Sequence, residues 1–312
     1  MKCLVTGGAG FIGSNLVDKL INDGHDVTVI DNESSDCHDK FYWNDKANNY
    51  KYDICDYIMC SSVFEKHQPD IVFHIAAEAR IQPSIINPLK TIEVNIIGTG
   101  TILELSRKYN VKRVIYSSTS SAYGRKNIPP LSEDMVNDCL TPYSVSKTSG
   151  EELCKIYSKL FNLETIILRY FNVYGERQPL KGQYAPVIGI FLRQKKAGES
   201  LTIVGDGLQR RDFTHIEDVV NANIKAAQFK APEYIIDNDI KYTKYEWGQI
   251  YNIGTGKNYS ILEIANMISY NQKFITERPG EARVTLANNS KIQKHFGWIP
   301  KISLEEWIKN NK

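Results

Sequence analysis

The first 31 residues constrain this chain more than any other stretch. Lys2–Thr6 is a short apolar run. Gly7, Gly10 and Gly13 follow it, and Phe11, Ile12, Leu16, Val17 and Leu20 then recur at helical spacing. Asp26–Asp31 is a second apolar run that ends in an acid. A strand, a glycine turn, a helix and a strand in this order form the βαβ setting that binds dinucleotides. Each glycine has its own reason. Gly7 permits the tight turn, Gly10 lets backbone approach a pyrophosphate, and Gly13 lets the helix close on the strand. The helix N-terminus offers free N–H groups and a positive dipole end to the phosphates. Asp31 is placed to accept both ribose hydroxyls of the adenosine and would repel a 2′-phosphate. That favours NAD over NADP.

Composition removes several function classes. The net charge of +2 over 312 residues is too balanced for a nucleic-acid or membrane surface. Cys3, Cys37, Cys55, Cys60, Cys139 and Cys154 are scattered without a Cys-x-x-Cys pair. They read as free, mostly buried thiols of a reducing compartment, and no metal site is expected. The chain enters its first strand at once and has no apolar run long enough to span a bilayer, so a cytoplasmic protein without a signal peptide is expected.

Asn32–Asn48 is polar and reads as a loop on the adenosine side. Tyr50–Ile54 reads as a strand, Asp56–His67 as a helix and Asp70–His74 as a strand running into Ala76 and Ala77, small enough for backbone to lie on a cofactor. Pro83 and Pro88 break the chain before a long helix, Leu89–Tyr109, and Lys112–Ser117 is the next strand. Alternating strands and helices argue for a parallel sheet covered on both faces, with ligands at the carboxyl ends of its strands. Gly7–Gly13, Asp31, Ala76–Ala77 and Ser117–Tyr123 then share one rim.

That rim carries the chemistry. Ser117-Ser118-Thr119-Ser120-Ser121 is a run of hydroxyls, and Tyr143-Ser-Val-Ser-Lys147 opens a helix behind Pro142. Tyr143 and Lys147 are four apart and share a helix face. An ammonium beside a phenol favours the phenolate and lowers its pKa, and Thr119 can share the proton of the same substrate oxygen.

At these residues the chain resembles the extended short-chain dehydrogenase/reductase family, specifically its nucleotide-sugar 4-epimerases, over nearly its whole length. The motifs are Thr6–Gly13, Asp53-Ile54, His74–Ala77, Ser117–Gly124, Tyr143–Lys147 and Arg169–Gly175. The resemblance implies an α/β protein. A Rossmann-type doubly wound parallel sheet is expected over residues 1–174, and a smaller α/β nucleotide-sugar-binding domain over 175–312, with some interleaving. It implies that Tyr143 is the base, Lys147 binds the nicotinamide ribose and Thr119 is the catalytic hydroxyl. Asp53 and Ile54 would border the adenine, and Asn32 and Ser117 would complete the NAD surface with Gly7, Gly10, Phe11, Ile12, Gly13, Asp31, Ala76 and Ala77. Family dehydratases carry an acid directly after the catalytic Thr. Ser120 and Ser121 stand here, and a hydroxyl cannot replace a carboxyl in acid–base elimination. That argues against a dehydratase and, less directly, against a decarboxylase.

The second half resembles the family's substrate side. Asn172, Arg211 of Gly205–Phe213 and Arg278 of Arg278-Pro-Gly-Glu281 would hold the diphosphate, which suits the guanidinium fork. Glu281 stands where the family has Asp, which puts the ribose contacts in doubt. Tyr184 and Val187 lie where members hold the base. Thr285, four after Glu281, is at the position that gates the carbon-2 substituent, and it is small enough for an acetamido group. Ser84 is a candidate sugar contact, as is Ser120. Glu217 and Asp218 follow a cap at Thr214 or His215 and read as helix-dipole partners. Gln249–Ile253, Ser260–Ser269 and Leu304–Lys309 read as a strand and two helices completing this domain; residues 230–248 fit no pattern.

The resulting expectation is NAD-dependent 4-epimerisation of a UDP-hexose, UDP-GlcNAc/UDP-GalNAc before UDP-Glc/UDP-Gal, by transient hydride transfer from sugar carbon 4. The family further implies a homodimer through a four-helix bundle of Leu89–Tyr109 and Tyr143–Phe161. Two chemistries on the same scaffold stay open, 4-epimerisation of UDP-glucuronate (with Arg80 as a cation for its carboxylate) and keto-sugar reduction. A non-catalytic NAD-binding regulator would need none of Thr119, Tyr143 and Lys147.

Overall fold

The computed structural model describes residues 1–180, 185–232, 234–237, 241–277, 280 and 282–312. Its first half alternates as the sequence pattern requires. β1 (Lys2–Thr6), α1 (Phe11–Asn22), β2 (Asp26–Ile30), β3 (Asn48–Tyr50), α2 (Tyr57–His67) and β4 (Ile71–His74) come first. Then follow α3 (Ile81–Ile86), α4 (Pro88–Ile92), a π-helical turn at Glu93–Gly98, α5 (Thr99–Lys108) and β5 (Arg113–Thr119). After a 3₁₀ turn at Ser120–Tyr123 come α6 (Pro142–Phe161), β6 (Glu164–Tyr170) and β7 (Val173–Tyr174). The remaining elements are α7 (Val187–Lys196), β8 (Leu201–Val204), β9 (Arg210–Asp212), β10 (Thr214–His215), α8 (Ile216–Gln228), β11 (Tyr234–Asp237), β12 (Lys241–Lys244), β13 (Gln249–Ile253), β14 (Asn258–Ser260), α9 (Ile261–Ile268), β15 (Gln272–Ile275), α10 (Ser290–Phe296) and α11 (Leu304–Asn311).

The main sheet has seven parallel strands in the order β13-β6-β5-β4-β1-β2-β3. Side chains alternate across it. Cys3 and Val5 enter one core with Val17 and Leu20 of α1, Val219 and Ala222 of α8 and Trp298. Leu4 enters the opposite core with Phe64 of α2, Leu103 of α5 and Cys154 of α6. A separate core joins Ile188 and Phe191 of α7, Ile203 of β8, Ile264 of α9 and Ile308 of α11. It faces the carboxyl rim of the sheet, and the cleft between them holds the site.

Several expected elements shift for identifiable reasons. The strand expected at Tyr50–Ile54 is Asn48–Tyr50, because Asp53 turns the chain by accepting the Cys55 N–H at 2.9 Å. The strand expected from Arg169 ends at Tyr170, because Asn172 takes φ +23°, outside extended conformations. Pro83 does not break the chain. It lies in the first turn of α3, where its missing N–H has no helical partner to lose. The long helix expected at Leu89–Tyr109 begins at Pro88 and is interrupted by the π turn. Gln249–Ile253 forms a strand but extends the main sheet beside β6 rather than the second unit. Residues 230–248 contain β11 and β12, paired antiparallel. Asp218 does more than face the dipole. It accepts the Lys301 and Ile302 N–H groups at 2.9 and 3.1 Å and pins the C-terminal segment to α8.

Among the described residues no helix is long and apolar enough to cross a membrane. The six cysteines are free, and Cys3, Cys37, Cys60 and Cys154 are buried.

Candidate active site

A cavity of about 570 Å³ runs along the rim, within the range of ligand sites. One end is the glycine turn. Gly7 has φ +70°, and a Cβ there would lie 2.7 Å from the Ala76 nitrogen. A Cβ on Gly13 would lie 2.0 Å from the Gly7 carbonyl oxygen. Gly7, Gly10, Phe11, Ile12, Gly13, Asp31, Asn32, Ile54, Ala76 and Ala77 all line this part of the cavity. The Asp31 carboxylate accepts the Ala9 N–H at 3.0 Å and the Glu33 N–H at 2.8 Å. Burial raises its pKa and those two bonds oppose the shift. Asp53 does not line the cavity; it accepts from Asn32 Nδ2 at 2.9 Å and so acts on the site through Asn32.

At the middle, Thr119 ends β5 and its Oγ1 caps the 3₁₀ turn by accepting the Ser121 N–H at 3.1 Å. Tyr143 stands in the first turn of α6, which Thr141 and Ser144 close with a reciprocal capping box. Thr119, Ser120 and Tyr143 line the cavity. Tyr143 is held above the ordinary tyrosine range by burial, and a hydrogen bond with Thr119 pulls the other way. The depression expected from Lys147 is absent. The Lys147 ammonium lies instead over the Tyr116 ring, 4.3 Å from its centroid. Lys147 is 3% exposed, and burial lowers its pKa to about 8.

A chemical step that needs the Lys147 cation therefore falls off as pH rises through about 8, where the ammonium loses its proton. The kcat–pH profile measures this. Lys147→Arg, whose guanidinium stays charged, is expected to remove that alkaline limb.

At the far end, Asn172, Val187, Arg211 and Thr285 line the cavity. Asn172 Nδ2 donates to the Asp212 carbonyl at 2.9 Å and reaches Thr285 Oγ1 at 3.5 Å. Thr285 Oγ1 also accepts the Asp212 N–H at 3.3 Å. Arg211 Nη1 donates to the Arg210 carbonyl at 3.0 Å. Beneath them the buried Asp212 carboxylate takes N–H bonds from Thr255, Gly256 and Ala287, which fixes two loops around one charge. Tyr184, Arg278 and Glu281 lie outside the described residues.

The sequence family described as GDP-mannose 4,6 dehydratase matches residues 4–311. The chain belongs to this family, the NAD-dependent epimerase/dehydratases of the short-chain dehydrogenase/reductase superfamily. The UDP-glucose 4-epimerase of Thermotoga maritima, solved with UDP-glucose, is 36% identical with a TM-score of 0.90, covering 100% of this chain and 97% of that one. A UDP-N-acetylglucosamine 4-epimerase of Methanobrevibacter ruminantium, solved with UDP-N-acetylmuramic acid, is 32% identical with a TM-score of 0.87, covering 99% and 96%. The UDP-glucuronic acid 4-epimerase of Bacillus cereus, solved with UDP-glucuronic acid and NAD, is 32% identical with a TM-score of 0.86, covering 100% and 98%.

As an epimerase/dehydratase the chain departs from its sequence reading at three further positions, Lys147, Ser117 and Ser84, none of which lines the cavity. Ser117 lies beneath the cavity, its Oγ 2.9 Å from the Tyr170 hydroxyl. Ser84 does not line it either. Its Oγ donates to the Ile81 carbonyl at 2.6 Å and accepts the Tyr143 N–H at 3.2 Å, so it anchors the start of α6 rather than facing a sugar. Arg80 does line the cavity, where it is paired with Asp36. His38, Tyr170, Gln209 and Phe213 line the cavity and were not singled out from sequence. His38 sits in a stretch without periodicity, and Gln209 and Phe213 are placed by the pairing of β9 with β14, which has no local signal. Glu176, His215 and Glu217 bring possible ligand atoms within 4.8 Å of one another. His215 Nδ1 accepts the Glu217 N–H, so Nε2 carries the proton and faces Glu176 at 3.2 Å, an acid–imidazole pair rather than a metal cradle.

Proposed function

We propose that this protein is a UDP-hexose 4-epimerase that takes UDP-GlcNAc/UDP-GalNAc in preference to UDP-Glc/UDP-Gal, with NAD as its bound cofactor. One observation carries the reading. Tyr143 and Thr119 stand together midway along a cavity that joins the glycine turn to Asn172, Arg211 and Thr285. Ser120 and Ser121 follow Thr119, and the acids lining the cavity among the described residues are Asp31 and Glu78, on the ends of other strands. An elimination would need its carboxyl beside Thr119. Arg80, the cation available for a uronate carboxylate, is tied to Asp36.

The residues fit NAD. The turn is free of Cβ atoms where phosphates would lie, and the Asp31 carboxylate faces the cavity where a ribose would lie. Bound NAD supplies a reversible hydride acceptor for sugar carbon 4. Tyr143 takes the proton of the 4-hydroxyl, Thr119 shares the hydrogen bond to the same oxygen, and Lys147 keeps a positive charge on the tyrosine's helix face. Asn172 and Arg211 hold the diphosphate while the keto sugar presents its other face. Tyr143 then returns the proton. No nicotinamide is consumed, so absorbance at 340 nm stays flat over many turnovers. Stoichiometric loss of added NADH would instead mark a keto-sugar reductase.

Thr285 is the sugar gate in this reading. A tyrosine there fills the space beside Asn172, so Thr285→Tyr is expected to lower kcat/KM for UDP-GlcNAc about 10–100-fold relative to UDP-glucose. An unchanged ratio of the two would remove Thr285 from the specificity argument.

The dimer belongs to the same proposal. Ile86, Leu89, Ile97 and Leu160 are 73, 76, 58 and 63% exposed on α3, α4, the π turn and α6. An apolar face of this kind on adjacent helices suits a second copy related by a two-fold axis. Light scattering is expected to give twice the 35.5 kDa chain mass. Leu89→Glu with Leu160→Glu is expected to give the monomer.

A further inference from the structure

α6 carries Tyr143, Lys147 and Glu151 at four-residue steps, so the three side chains share one helix face. The first two act in the proposed mechanism, and Glu151 has no part in it. Yet Glu151 is 0% exposed, and its partner Arg169 on β6 is 1% exposed. Burying such a pair is costly, and apolar residues of similar volume commonly serve stability as well or better. The partners show what this pair does instead.

Glu151 Oε1 accepts from Ser118 Oγ at 2.6 Å and from Arg169 Nε at 2.7 Å, and Oε2 accepts from Arg169 Nη2 at 2.6 Å. Arg169 Nη2 also donates to Asn137 Oδ1 at 2.7 Å, and the guanidinium lies 4.6 Å from the Tyr123 ring centroid. One ion pair therefore joins α6, β5, β6, the Asn137 loop and the 3₁₀ turn. Ser118 is the residue before Thr119. Gly150 lets the helix close on this strand, since a Cβ there would lie 2.1 Å from the Tyr116 hydroxyl. The distance between the Thr119 end of β5 and the Tyr143 face of α6 is thus set by buried polar contacts.

We propose that Glu151 and Arg169 are positioning residues: their ion pair, through Ser118, holds Thr119 against the Tyr143–Lys147 face, and it sets the Glu151 carboxylate one helical turn from Lys147 on that face. The inference rests on the roles given above to Thr119, Tyr143 and Lys147. Lys147 and Cys154 on α6, Tyr116 on β5, Arg169 on β6 and Tyr123 in the 3₁₀ turn are the charged and titratable groups around Glu151. His74 on β4 is neutral, its pKa lowered to about 3 by burial. Burial works against the Lys147 charge, and Cys154 and, less strongly, Glu151 work for it. Removing the carboxylate charge takes away one of the influences that favour the Lys147 cation.

The test compares wild type, Glu151→Gln and Ser118→Ala. Glu151→Gln is expected to move the alkaline limb of kcat down by about one pH unit and to lower kcat at pH 8 about tenfold, with KM within about twofold. Ser118→Ala removes the hydroxyl that ties β5 to Glu151, at a position that also lines the cavity, and leaves the Glu151 charge in place. It is expected to lower kcat several-fold without moving the limb, and it keeps the proposal testable if Glu151→Gln does not fold. An unmoved limb, or a KM that rises in step with the loss of kcat, would overturn the proposal. The Lys147 Nζ titration, followed by NMR in protein labelled with ¹⁵N-lysine and assigned by its loss in Lys147→Arg, needs no substrate. A midpoint lowered by about one unit in Glu151→Gln upholds the coupling even if wild type converts no UDP-sugar, which separates failure of the functional reading from failure of this one. An unchanged midpoint overturns the coupling even in an active epimerase.

Discussion

Tyr143→Phe is expected to lose about 10²–10⁴-fold in kcat while still binding UDP-sugar, the range over which a positioned acid–base group acts. The substitution isolates the hydroxyl. The phenylalanine ring keeps the packing of the first turn of α6, and Ser84 still receives the main-chain N–H of residue 143. Thr119 keeps the Ser121 N–H, so its hydroxyl is not stranded. Folding should change little, and a thermal melt is the control. Turnover within a few-fold of wild type would mean that another group carries the proton.

Gly13→Ala is expected to remove the cofactor. The added methyl meets only main chain, the Gly7 oxygen at 2.0 Å, the Gly7 carbon at 2.7 Å and Gly8 Cα at 2.7 Å. No side chain can swing away. The turn is backed in its place by the Ala76 main chain, so α1 must move off β1. Overpacking of this kind costs ~1–3 kcal/mol in stability. Loss of the phosphate cradle is expected to weaken NAD binding ~100-fold or more, about 2.7 kcal/mol. Calorimetric titration with NAD and the melting temperature report the two effects separately. Gly100→Ala is the control: nothing lies within 4 Å of its added Cβ, inside α5, where alanine gains ~0.5–1 kcal/mol over glycine. If Gly13→Ala behaved like Gly100→Ala, the turn would not be the close-approach point that the account requires.

The sheet and the glycine turn were legible because their signals are local. Gly7, Gly10, Gly13 and Asp31 sit within one βαβ unit whose periodicity marks every boundary. Tyr143 and Lys147 were legible for the same reason, being one helical turn apart. Their electrostatics were not. Sequence spacing placed an ammonium beside a phenol, but the fold sends Lys147 onto the Tyr116 ring and lets burial set both pKa values. Ser84 and Ser117 failed as cavity contacts because hydroxyls near a rim satisfy their own backbone and neighbours first. The strand Gln249–Ile253 is legible as a strand, but its place in the main sheet rather than in the second unit is not, since nothing in its five residues records that β6 lies beside it. Glu151 and Arg169, 18 residues apart, needed the packing of α6 on β5 and β6 before their pairing could be seen.

Proton NMR of the purified protein with UDP-GlcNAc, without and then with added NAD, tests the central claim most directly. The account predicts that the anomeric signal of UDP-GalNAc grows to a stable ratio, and that it does so without added NAD if the cofactor stays bound through purification. Absence of any new anomeric signal from UDP-GlcNAc and from UDP-glucose, with NAD supplied, would contradict it.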